Sequence, residues 1–214
     1  MGTDAQAILT RRQIDKAKGA VIARHGDPLF AIAGACFIGF SGFTLVMPFL
    51  PLYFEQLGMR DPAEIALWSG LSLGVTPGMT ALLAPLWGRV ADRLGNKFLV
   101  LRSLVCFVIT MVLMGLATQP WHIFGLRVLQ GFFAGYGALA VAMAAQAAPR
   151  DQMARAIGTV QTAQRLGPAL GPAIGGVLAV AIGIRASFFV ASLFYAAALI
   201  LVWRWFEESP PPAA

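Results

Sequence analysis

Residues 65–121 read IALWSGLSLGVTPGMTALLAPLWGRVADRLGNKFLVLRSLVCFVITMVLMGLATQPW, in which two uncharged runs flank a charged turn. The runs are Ile65–Gly88 and Ser103–Trp121. Each matches the ~20 residues that a helix rising 1.5 Å per residue needs to cross the ~30 Å hydrocarbon layer. The turn, Gly88–Lys97, carries Arg89, Arg93 and Lys97 with one acid, Asp92. A short cationic loop joining two membrane-length segments fixes their topology.

The same pattern fills the chain. Further uncharged runs occupy Pro28–Phe54, Val128–Pro149, Leu166–Ile184 and Ala186–Trp203. Charged residues make up 12% of the sequence, hydrophobic residues 58%, and the mean hydropathy is +0.72. Soluble domains are about a quarter charged, so a soluble fold is excluded. Barrel strands alternate in polarity and these runs do not. The expected fold is all-α, a polytopic membrane protein with a six-helix transmembrane bundle over residues 28–206. Its helices are expected at about 29–54, 66–87, 97–118, 122–147, 154–181 and 186–205. A tail, 1–27, precedes the bundle without the pattern of a cleaved signal peptide, and a proline-rich tail or linker, 207–214, follows it.

The net charge of +6 sits in loops beside apolar blocks, which suits orientation in a bilayer and not a nucleic-acid partner. One side of a six-crossing chain holds Arg11, Arg12, Lys16, Lys18, Arg24, Arg89, Arg93, Lys97, Arg150, Arg155 and Arg204; the other holds Arg60 and Arg185. The bias places both termini in the cytoplasm. Cys36 and Cys106 fall inside apolar runs and read as packed small hydrophobes. No metal-ligand cluster, nucleophile–base set or nucleotide-binding glycine loop is present, so neither an enzyme nor direct ATP coupling is expected.

Gly70, Gly74 and Gly78 recur at four-residue spacing in the second helix, and Gly167, Gly171 and Gly175 in the fifth, both with prolines. Residues four apart share a helix face, so each stripe leaves a groove that a neighbouring backbone can approach. The stripes read either as ordinary glycine packing or as equivalent members of two inverted three-helix repeats, an arrangement known in secondary transporters. In the charged turn, Gly95 suits a left-handed turn and Lys97 opens the third helix. A buried Asp92 would pair with Arg93 or Lys97, or dock on a neighbouring helix N-terminus. A turn with no role beyond topology would need only cations.

The spacing of Gly88, Asp92, Arg93, Gly95 and Lys97 resembles the loop 2–3 signature of the major facilitator superfamily, with Asn96 replacing a usual basic residue. Two further signatures follow in order. Arg127, Gln130 and Gly131 resemble the helix 4 motif, and Gly167, Gly171, Pro172, Gly175 and Gly176 resemble the helix 5 motif of the antiporter branch. Residues 45–57, LVMPFLPLYFEQL, look like helix 1 of twelve-helix multidrug exporters. The resemblance covers about 29–206. It implies the N-terminal half of a transporter in the inner membrane of a bacterium, driven by the proton gradient without other cofactors, that exports small lipophilic or amphipathic compounds by alternating access. It also implies a conformational latch in the loop and a coupling role for Arg127, Gln130 and Gly131. One half requires either a second six-helix half or a second copy of itself. A non-transporting fragment or regulatory subunit, and an uptake carrier of the same superfamily, are the alternative readings.

Charge at membrane depth marks the remaining candidates, because it costs at least ~2.5 kcal/mol there. Arg127 either snorkels toward His122 or turns inward, the role the resemblance favours. Gln161 and Arg165, one turn apart in the fifth helix, are expected to face a wet cavity and bind an anionic or carbonyl-bearing group. Arg102 is expected to reach the interface or Asp92. Met47, Phe133 and Tyr136, with Phe49, Phe54 and Phe132, read either as a pliable apolar pocket or as ordinary packing. No helix carries a carboxylate at mid-membrane.

Overall fold

The structure is a computed structural model that describes residues 28–206. The tails 1–27 and 207–214, with the orienting cations of the first tail, lie outside the described residues. Span 1 consists of α1 (Pro28–Val46), a 3-10 turn (Met47–Phe49) and α2 (Leu50–Gln56). Span 2 is α3 (Pro62–Leu94) and span 3 is α4 (Asn96–Gly115). Span 4 consists of α5 (Pro120–Phe133) and α6 (Tyr136–Ala147), span 5 is α7 (Met153–Ala181), and span 6 is α8 (Ile184–Trp205).

Five spans are long and apolar enough to cross a membrane. The exception, α7, is 29 residues long, but Gln161, Gln164, Arg165, two prolines and a glycine stripe dilute its hydropathy. A helix packed through small residues gives up apolar side chains for close backbone contact.

Several boundaries differ from the sequence expectation. Span 2 begins at Pro62 because Asp61 caps it, accepting the Ala63 amide at 3.0 Å, and proline suits the first helical position. It then runs on to Leu94. Most of the charged turn is therefore its last two turns of helix, and Gly95 (φ 86°) makes the reversal. The fourth span, expected as one rod, is broken at Ala134–Gly135, where Gly135 has φ 116°.

The packing has a simple exchange rule. Span 1 lies along spans 5 and 6, span 4 lies along spans 2 and 3, and span 3 meets span 6. Swapping 1 with 4, 2 with 5 and 3 with 6 maps these contacts onto one another, as two inverted three-helix units require. The glycine stripes do not share this equivalence. A Cβ on Gly167 would meet the Phe37 carbonyl oxygen, on Gly171 the Ser41 carbonyl oxygen and on Gly175 that of Leu45, so α1 fills the groove of α7. Gly70, Gly74 and Gly78 have nothing within 4 Å, because α3 turns the other stripe, Ile65, Ser69, Ser72 and Thr76, inward. The glycine at the α3–α5 contact is Gly131, on α5, against Thr76 and Met79.

The core lies where spans 1, 3 and 6 converge. Tyr53 donates to the Met114 carbonyl at 2.7 Å and packs its ring 4.9 Å from that of Phe188. By contrast, only 22% of the apolar stretch of span 2 is buried, against 56% for span 1. Leu67, Leu71, Leu82 and Leu86 stand exposed along it.

Candidate functional site

Arg127 is fully buried, which settles its direction: it points into the bundle and does not snorkel toward His122. It sits about 10 Å along α5 from the Pro120 end. Its Nη1 donates to Gln130 Oε1 at 3.2 Å, and its Nη2 donates to Met47 Sδ at 2.6 Å. Gln130 passes the chain on, donating from Nε2 to Thr110 Oγ1 at 2.8 Å, and Thr110 donates to the Cys106 carbonyl. The Phe43 ring lies 5.3 Å from the guanidinium carbon. No carboxylate pairs with Arg127 among the described residues, and its Nε has no hydrogen-bond partner. An unpaired buried cation is costly.

Local sequence explains the arrangement. Three residues separate Arg127 from Gln130, which puts both on one face of α5. Gly131, on the adjoining face, lets α3 come close enough for Thr76 to bond the Arg127 carbonyl at 3.0 Å. The helix 4 motif residues therefore do converge. Met47 joins them because span 1 kinks around Pro48, which brings its 3-10 turn to α5.

The second feature begins further along span 4. Where the span breaks, Trp87 Nε1 donates to the Phe132 carbonyl at 2.7 Å, and Arg102 Nη2 donates to the Phe133 carbonyl at 3.1 Å. Ser103 Oγ reaches that same oxygen at 2.5 Å. The Arg102 guanidinium lies 3.7 Å over the Trp87 ring and 5.1 Å from that of Phe133. Arg102 thus serves the end of α5 and does not reach Asp92. Phe133 packs here against Trp87 and Phe132.

Other expectations need correction. Asp92 and Arg93 are exposed at the end of α3, so no element among the described residues buries Asp92. Tyr136 is 4% exposed and stacks on Phe40 with ring centroids 5.8 Å apart. It closes the contact between spans 1 and 4. Gln161 and Arg165 share an exposed face of α7, while Gln164 turns inward to the Gly137 carbonyl at 2.9 Å. A crevice of about 640 Å³ runs beside that face between α1 and α7, lined by Phe30, Gly34, Phe37, Gly158, Thr162 and Leu166. The sequence reading missed Trp87, Ser103 and Thr110. The glycines at 135 and 137, close behind Gly131, were the available signal for the break that gives the first two their role.

The sequence profile of the Major Facilitator Superfamily matches residues 32–214. The chain belongs to that superfamily. Among curated superfamily members, "Multidrug resistance protein MdtG" of Yersinia enterocolitica is 39% identical over 184 residues, covering 86% of this chain and 44% of the relative. The "Multi-drug resistance efflux pump PmrA homolog" of Lactococcus lactis is 38% identical over 186 residues, covering 87% of this chain and 46% of the relative. The chain therefore spans about half the length of the curated relatives it matches. The crystal structure of the human organic anion transporter MFSD10 (TETRAN) superposes with a TM-score of 0.72 at 20% identity, over 83% of this chain and 46% of that one. That likeness establishes the six-helix superfamily fold and nothing about substrate.

Proposed function

We propose that this chain is the N-terminal half of a secondary transporter that exports small amphipathic compounds across a bacterial inner membrane, driven by the proton gradient. The observation that carries the reading is Arg127: a buried cation with no carboxylate partner among the described residues, bonded to Met47 of span 1 and Gln130 of span 4. Intramembrane charge of this kind belongs to ion and substrate pathways. The curated relatives, named for multidrug resistance and efflux, support export over uptake.

In this reading Arg127 and Gln130 couple proton movement to the conformational cycle. Gln161 and Arg165, on the open face of α7, receive a carbonyl or anionic group of the compound. Two six-helix halves rock about a midplane site, and the uncovered faces of α3 and α7 meet the second half. The turn at Gly95 is cytoplasmic, as are both termini, and Asp92 latches that side by docking on the other half.

The test uses the intact protein in proteoliposomes with a lipophilic dye, ethidium, and an imposed pH gradient. Dye should move only with the gradient, and dye addition should dissipate it. Dye movement that is indifferent to the gradient, or none at all, refutes proton-coupled export.

A further inference from the structure

The break in span 4 poses a problem of hydrogen-bond accounting. In an uninterrupted helix, the carbonyls of Phe132 and Phe133 would accept the amides of Tyr136 and Gly137, four residues on. The chain instead turns at Ala134 (ψ −177°) and Gly135 (φ 116°), so those amides point elsewhere. The break falls near the middle of the 28-residue span, and a carbonyl that it leaves without a donor away from water costs free energy. Trp87, Arg102 and Ser103 take the two carbonyls. The cation of Arg102 also complements the partial negative charge at the C-terminal end of α5.

These three side chains are rooted on either side of the charged turn. Trp87 immediately precedes Gly88 on α3, while Arg102 and Ser103 follow Lys97 by five and six residues on α4. On the other side of the contact, α5 carries Arg127 and Gln130 within its last two turns before Phe133. In a continuous span the same two carbonyls would accept the amides of α6, so the broken and continuous forms differ in which donors hold these oxygens. An element with two discrete bonding arrangements is what coupling between separate sites requires.

We infer that Trp87, Arg102 and Ser103 form a clamp that holds span 4 broken, and that the clamp relays the position of the Gly88–Lys97 turn to Arg127. When the turn moves, Trp87 and Arg102 move with it, the carbonyls pass to the amides of Tyr136 and Gly137, and α5 aligns with α6. Arg127 then leaves its seat against Met47. The relay's part in a transport cycle rests on the proposed function; the clamp itself does not. These are positioning residues, acting through the backbone of α5.

The experiment measures the break directly. Spin labels at the exposed positions Leu129 and Gln146, with Cys36 and Cys106 replaced by alanine, report the distance across it in the intact protein in lipid nanodiscs. A continuous helix would separate the two backbones by about 25 Å. Trp87→Phe keeps an aromatic ring near Arg102 and removes the N–H with the five-membered ring that carries it, and Arg102→Gln removes the cation. Trp87→Phe should raise the ratio of continuous to broken helix roughly tenfold, the effect of removing one carbonyl's donor, and Arg102→Gln should raise it by less, because Ser103 still bonds the Phe133 carbonyl. Asp92→Asn should shift the same distribution in the parent protein, and by less than a third as much once Trp87→Phe is present. A distribution unmoved by both clamp variants overturns the clamp. A full, additive Asp92→Asn effect on top of Trp87→Phe overturns the relay. The measurement needs no substrate, so a protein that shifts as expected yet exports nothing overturns the transport reading alone.

Discussion

On the proposed function, Arg127 sets transport against stability at a single residue. Among the described residues its guanidinium meets no carboxylate to offset desolvation, but Gln130, a thioether and an aromatic face. Replacing a buried ionic group with an apolar side chain of similar volume is often neutral or stabilising by about 1–4 kcal/mol. Arg127→Met should therefore melt no lower than the parent in detergent, while dye export falls at least a hundredfold. A large drop in melting temperature would show instead that the cation holds the bundle together. The buried state of Arg127 was not legible from its sequence position, since a residue two turns from a helix end can reach water or turn inward. What decides it is Gly131 on the neighbouring face, because close approach of α3 leaves the arginine no route out.

At the scale of elements, the two glycine stripes look alike in sequence and behave oppositely. The α7 stripe is occupied by α1, and Gly175→Ala puts a methyl into the Leu45 carbonyl. The helices must separate, which should cost about 1–3 kcal/mol in overpacking and be visible as a lowered melting temperature. Gly74→Ala on α3 meets nothing within 4 Å. Within this half it should change stability by less than about 1 kcal/mol, with a slight gain from helix propensity. Equal losses at both sites would show that α3 packs in the bundle through its glycines. Sequence periodicity located both stripes but could not tell which was filled, because a side-chain-free groove looks the same with or without a neighbour. It also gave the number and order of the spans, since uncharged length is a strong signal. The break in span 4 escaped it: Gly135 sits in an unbroken apolar run, and the side chains that bond the carbonyls beside the break, Ser103 and Trp87, lie 32 and 48 residues from it in sequence. The start of span 2 was in principle readable, because Asp61-Pro62 is a cap followed by a first-turn proline.

Across the whole molecule, orientation should be checked by accessibility labelling. Single cysteines at Arg89 and Arg150 should react from the cytoplasmic side, and those at Arg60 and Arg185 from the opposite side. Reaction of Arg89 and Arg60 positions from the same side would require a different number of crossings. The exchange rule in the packing makes the six spans one pseudo-symmetric unit, yet its polar content is lopsided. Span 4 carries a buried cation, and span 1, its counterpart, presents Met47 and Phe43 to it. The unmatched charge of Arg127 therefore sits in the electric field of an energised membrane, which acts on each elementary charge with ~2.3 kcal/mol per 100 mV of potential crossed. If α5 shifts along the membrane normal when span 4 straightens, cell voltage will weight the two shapes of the protein differently, and Arg127 will act as a small built-in electrode sensing how well charged the cell is.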